Sequence, residues 1–158
     1  MGLSNDNPSR AGALPFPKAI RLQMTLLQLQ GNDVNFSLTS SSPGVVVSGT
    51  PPKINLVGIR QPVLLRIELV GSVAEEGDAR FLDNPHDAMH FGHGHAPPTG
   101  PGTAGGMFVP LAVSDDGREL TFLARNTGNG EDYRAKFNYT HEANSRANAS
   151  GGPIIIND

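Results

Sequence analysis

The chain of 158 residues has no cysteine and no tryptophan, and its aromatic residues are two tyrosines and seven phenylalanines. Without a thiol there is no disulfide framework, no thiolate nucleophile and no iron–sulfur ligand set. A blue-copper centre is excluded as well, because its strong equatorial ligand is a Cys sulfur. Charge is also sparse, at 17% of residues with a net value of -3, and no run of Lys or Arg occurs. That argues against a nucleic-acid footprint, which needs a basic patch or stripe. No apolar run reaches the roughly eighteen residues of a candidate membrane helix. The first residues lack a basic region followed by an apolar one, and Asp6 stands where a myristoylation pattern needs Ser or Thr. The cytoplasm is therefore the default expectation.

Glycine and proline are plentiful instead. The 19 Gly and 13 Pro make up about a fifth of the chain, against a usual share of about 12%. Hydrophobic residues contribute 37%, too many for a disordered chain of such low net charge. Frequent turn residues in a moderately apolar chain of one-domain length suggest short strands joined by turns.

The alternation of side chains agrees. Residues 1–17 are rich in Asn, Ser, Gly and Pro without period and read as a flexible arm, leaving 18–158 as a single domain. "AIRLQMTLLQLQ" sets Ile20, Leu22, Met24 and Leu26 against Arg21, Gln23 and Thr25, then slips phase at Leu26-Leu27. A one-residue slip exchanges the two faces of a strand, so a bulge or bend is expected there. "VNFSLTS" and "VVVSG" follow as strands, and "TPPKINLVG" is limited at its start by Pro51 and Pro52. "QPVLLRIELVGSV" is the firmest strand, with Leu65, Ile67 and Leu69 opposed to Arg66 and Glu68. Ala74 to Gly106 reads mostly as loop. Strands resume in "GMFVPLAV", turn through "SDDGREL" into "LTFLA", and meet a hairpin signal in "TGNGED". "YRAKFNYTH" alternates throughout and "GGPIIIND" adds a last short strand. Eight to ten short strands without a long helix predict an all-β fold, an antiparallel β-sandwich of immunoglobulin-like plan.

The order "DDGRELTFLARNTGNGEDYRAKFNYT" followed by "GGPIIIND", from about Ser114 to Asp158, resembles the small bacterial β-sandwich proteins of the DP-EP family. Gly152 stands here where that group carries an aspartate before the proline. The resemblance implies a sandwich fold and no activity.

Four of the five histidines fall within "DNPHDAMHFGHGHAPP", Asp83 to Pro98. "NPHDAMHFG" has the grammar of one or two helical turns: Asn84 can cap, Pro85 suits the first position, and Gly92 can terminate. His86 and His90 would then lie one turn apart on one face, while His93 and His95 would share a side of an extended segment. Convergence of His86, His90, His93 and His95, with Asp83 or Asp87 beside them, would suit Zn²⁺, Ni²⁺ or Cu²⁺. The other reading is a long His/Gly/Pro-rich loop, residues 83–106, that is solvated or makes an assembly contact. Both remain open at this level. The fragment "HDAMH" only grazes the zinc-protease pattern, with the shorter Asp87 at the glutamate position and no long helix to carry it.

Nucleophilic catalysis finds no G-x-S-x-G or S-x-x-K pattern, and the pairs Glu75-Glu76, Asp115-Asp116 and Glu131-Asp132 read as hairpin tips. Tyr133, Phe137 and Tyr139 would offer a sugar platform if exposed, but their alternation with Arg134 and Lys136 predicts core. The expected function is a non-enzymatic structural or interaction module, homo-oligomeric or binding a protein partner, with no nucleic acid and no membrane. A transition-metal-binding protein is the first alternative and a carbohydrate-binding module the second.

Overall fold

The computed structural model describes residues 18–30, 33–42, 45–49, 52–57, 59, 61–125, 131–141, 144–149 and 153–156. The proposed arm at 1–17 and residues 127–130 of the "TGNGED" turn lie outside these. Within them the chain is mostly β, with strands β1 (Lys18–Gln30), β2 (Asp33–Ser40), β3 (Val46–Ser48), β4 (Lys53–Asn55) and β5 (Val63–Val70). Then come helix α1 (Ser72–Glu76), β6 (Arg80–Phe81), helix α2 (Pro85–Ala88) and β7 (Met89–His93). The last strands are β8 (Phe108–Val113), β9 (Glu119–Ala124), β10 (Asp132–His141), β11 (Asn144–Ala149) and β12 (Ile154–Ile156). The all-β expectation holds, and no long helix occurs among the described residues.

Hydrogen-bonded neighbours run β3-β4-β12-β10-β11-β2-β1-β5-β9-β8, with β6 and β7 also paired to β10. Not all pairs are antiparallel, as the sequence suggested. β1 lies parallel to β5 over Lys18–Thr25, and β12 is parallel to β4. Alternation within one strand tells which face is apolar but carries no information on a neighbour's direction, so this feature was illegible. The phase slip at Leu26 does produce a register shift in the β1–β2 pairing, between Leu26 and Gln28.

Alternation decides the core. β5 buries Val63, Leu65, Ile67 and Leu69, and β1 does the same with Ile20, Leu22, Met24 and Leu26. The link between β2 and β11 is slight, a single pairing of Asp33 with Asn148. Aromatic side chains make the larger connection between the two ends of the ladder. Phe91 of β7 stacks on Phe108 of β8, with ring centroids 4.2 Å apart and planes 8° from parallel, and tilts against Phe122 of β9 at 5.2 Å. Phe108 meets Tyr133 of β10 edge-on at 5.1 Å, and Phe36 of β2 meets Phe137 of β10 at 6.4 Å. Such offset and edge-to-face pairs stabilise by about 0.5–1.5 kcal/mol each beyond the area they bury.

One correction concerns the segment read as loop, another the stretch after β10. It contains α1, β6, α2 and β7, and β7 lies in register with β10 from His93↔Tyr133 to Met89↔Phe137. β11, in "NSRANA", was not anticipated at all; it is paired antiparallel to β10.

Candidate functional site

α2 begins as its sequence dictates. The Asn84 side chain accepts a hydrogen bond from the His86 backbone N–H at 3.0 Å, and Pro85 occupies the first helical position. The helix then stops after Ala88, because Met89 turns to extended backbone (φ -146°, ψ 130°) and opens β7. His90 therefore sits on a strand, opposite Lys136 of β10, and does not follow His86 by one helical turn. The cause is packing: Met89 and Phe91 are buried by alternating in β7, a face a second helical turn would have broken up.

The remaining two histidines are separated by Gly94, whose φ of +80° ends the extended run. His93 points its ring toward Tyr133, 5.3 Å between centroids, with Nδ1 4.0 Å from the Glu131 carboxylate. His95 is exposed and places Nε2 2.7 Å from Asp132 Oδ2. His86 is exposed on α2 and His90 is half-buried. His93 and His95 thus face different partners. Among the described residues no group of three or more His, Asp or Glu side chains is placed to hold a metal ion.

The segment after β7 is fastened by hydrogen bonds. Gly94 N–H donates to the Asp132 carbonyl at 2.9 Å, and Arg134 Nη1 donates to the His95 carbonyl. Burial lowers the Arg134 pKa from its ordinary value. Farther on, Phe91 N–H donates to the Gly102 carbonyl (2.9 Å) and Phe108 N–H to the Thr103 carbonyl (3.1 Å). Asn138, nearly fully buried, donates through Nδ2 to the Asp87 carbonyl at 2.9 Å and so holds α2 onto β10. Polar groups in this region are used to attach the segment to the strands beneath it.

A shallow cleft of about 470 Å³ opens beside His93, lined also by Met107, Arg125, Glu131 and Tyr133. Two hydrogen bonds set its walls: Tyr133 OH donates to Glu131 Oε2 (3.2 Å), and Arg125 Nε donates to the Gly106 carbonyl (2.8 Å). Glu131 is thus more than the hairpin tip suggested by its sequence. Tyr133, Phe137 and Tyr139 are buried, so they belong to the core and present no exposed platform.

A second surface was not singled out by motif. The outward faces of β1, β5, β9 and β8 stand in register, which arranges their side chains in rows across the strands. One row is Ala19, Leu64, Leu123 and Val109. The next holds Arg21, Arg66, Thr121 and Ala112, and the third Gln23, Glu68 and Glu119. Thr25 and Val70 form a fourth. Leu111, beside the apolar row on β8, leaves 48% of its surface exposed. Arg21 reaches diagonally to Glu119 at 3.6 Å, whereas the buried Nε of Arg66 has no hydrogen-bond partner among the described residues. The signal was present in "LLRIEL", but only the register between strands turns separate polar residues into bands.

Comparison of the chain with protein-family models and with curated proteins finds no match.

Proposed function

We propose that the chain is an immunoglobulin-like β-sandwich acting as a non-enzymatic interaction module that self-associates. In this arrangement the inner faces of the two strand sets pack through the Phe91, Phe108, Phe122 and Phe137 rings, and the outward faces are left for contact. The reading is supported chiefly by the banded outer surface of β1, β5, β9 and β8. A solvated sheet face needs only polar side chains, yet this one carries Leu64, Leu123, Val109 and the exposed Leu111 in a contiguous group. Contiguous apolar surface rimmed by polar residues marks protein-binding faces.

The histidine segment has a scaffolding role in this reading. Its backbone bonds to β10 and Thr103 fix the loop, and Phe91 anchors it to the aromatic core.

Sedimentation equilibrium across a concentration series tests the function. The expected result is a mass rising from the 16.7 kDa of one chain toward twice that value. A single-chain mass at every concentration up to the millimolar range contradicts self-association.

A further inference from the structure

We propose that the outward face of β1, β5, β9 and β8 binds a second copy of this chain about a twofold axis running across the strands, between the Arg21–Arg66 row and the Glu68–Glu119 row. The proposal rests on the self-association read above and adds its face, its symmetry and the residues that determine it.

The order of the rows carries the inference. Along the strands the face runs apolar (Ala19, Leu64, Leu123, Val109), cationic (Arg21, Arg66), acidic (Glu68, Glu119), then Thr25 with Val70. A twofold across the strands reverses this order in the facing copy. On β5 Arg66 then lies over Glu68, on β1 Arg21 lies over the Gln23 amide, and Ala19 and Leu64 lie over the methyl groups of Thr25 and Val70. Each strand faces its own copy in reverse, so Arg66 meets Glu68 of the second copy and Glu68 meets its Arg66. An axis running along the same four strands would set each row against itself end for end and place Glu68 over Glu119, an arrangement that like-charge repulsion disfavours. Symmetric interfaces require such self-complementarity, since the same patch serves both sides.

The isolated chain leaves a need that this contact meets. Arg66 lies directly opposite Arg21 in the β1–β5 ladder, a like-charged neighbour. Arg21 is drawn to Glu119, but Arg66 and Glu68 make no ion pair among the described residues. A carboxylate approaching from above would supply a charge-assisted partner for the guanidinium, in the geometry arginine favours.

The footprint sets the strength. Four strands about 4.8 Å apart and four rows about 6.7 Å apart cover about 500 Å² per copy, near the lower bound of about 1,000 Å² in total for a specific interface. A dimer of micromolar affinity is therefore expected.

The charge pattern permits a direct test on the full chain by sedimentation velocity. Arg66→Glu alone and Glu68→Arg alone should each weaken dimerisation at least tenfold, because each sets like charges against one another twice. An equimolar mixture of the two variants should recover dimer within a few-fold of wild-type affinity, since every pairing in the mixed dimer is again opposite. Circular dichroism checks that both variants keep the wild-type spectrum. Should either fail to fold, the absence of cysteine offers another route: Arg66→Cys and Glu68→Cys proteins, mixed and oxidised, should cross-link to each other faster than either does to itself. A dimeric wild type whose single variants dimerise normally, or whose mixed variants do not recover, overturns this symmetry and leaves self-association standing. A wild type that never dimerises overturns both.

Discussion

Replacing Phe91 by Ala should be among the most damaging single changes available in this chain. Phe91 retains 3% of its surface exposure, stacks on Phe108 at 4.2 Å and tilts against Phe122 at 5.2 Å. Truncation removes the buried ring, leaves a cavity among β7, β8 and β9, and strips two aromatic contacts at once. Substitutions of this kind cost about 3–5 kcal/mol, a large part of the roughly 5–15 kcal/mol that holds an ordinary domain together. At about 2–4 °C per kcal/mol for a chain of this size, the midpoint should fall by about 6–20 °C. Urea denaturation followed by far-ultraviolet circular dichroism measures the loss directly, with near-ultraviolet tyrosine signals reporting on the environment of Tyr133. His86→Ala, on exposed α2 surface, is the control and should cost less than about 0.5 kcal/mol. If Phe91→Ala unfolds within 1 kcal/mol of wild type, the ring does not join β7 to β8 and β9, and the packing of the two strand sets is wrong.

Three further perturbations address separate parts of the fold. A methyl group at Gly77 would lie 1.7 Å from His141 Nε2, whose ring hydrogen-bonds the Val73 carbonyl, so Gly77→Ala should destabilise by about 1–3 kcal/mol in chemical denaturation. Asn84→Ala removes the cap of α2 and should cost about 1 kcal/mol without altering self-association, as measured by the same denaturation and by sedimentation. Hydrogen bonds from Arg80, and then from Arg118, hold the Asp78 carboxyl below its ordinary pKa, and those from Ser114 and the Arg118 backbone do the same for Asp116. With folded-state values depressed, their contribution is complete above the unfolded value near 3.8 and is lost as pH falls through the lowered ones. Thermal melts between pH 5 and pH 2 should therefore show a decline that Asp78→Asn and Asp116→Asn together reduce; an unchanged decline in the double variant removes these two residues from the acid response.

β5, β9 and β10 were legible because their apolar residues recur at every second position, although β10 also buries Arg134 and Asn138 on its other face. β7 obeys the same rule through Met89 and Phe91, but with His90 between them, Gly92 after them and Pro85 just upstream, turn-like composition masked its period. β11 has no apolar alternation to find in "NSRANA", and its strand form comes from pairing with β10, a tertiary effect that overrides local preference. The cap at Asn84 was correctly anticipated, whereas the helix length was not: burying Met89 and Phe91 as a strand competed with continuing the helix and won. At the candidate sites, residue types were visible and placement was not. The histidines are adjacent in sequence but divided among α2, β7 and the bend after Gly94, while Arg66 and Glu68 gain meaning only once four strands are set in register.

Backbone amide chemical shifts of the 15N-labelled protein, followed by NMR through a dilution series, most directly examine whether the outer face of β1, β5, β9 and β8 is where one chain meets another. Concentration-dependent shifts should cluster at Arg21, Leu64, Arg66, Glu68, Thr121 and Leu123, with His86 and His95 unchanged. Shifts confined to residues 86–95, or a spectrum unchanged from micromolar to millimolar protein, would contradict it.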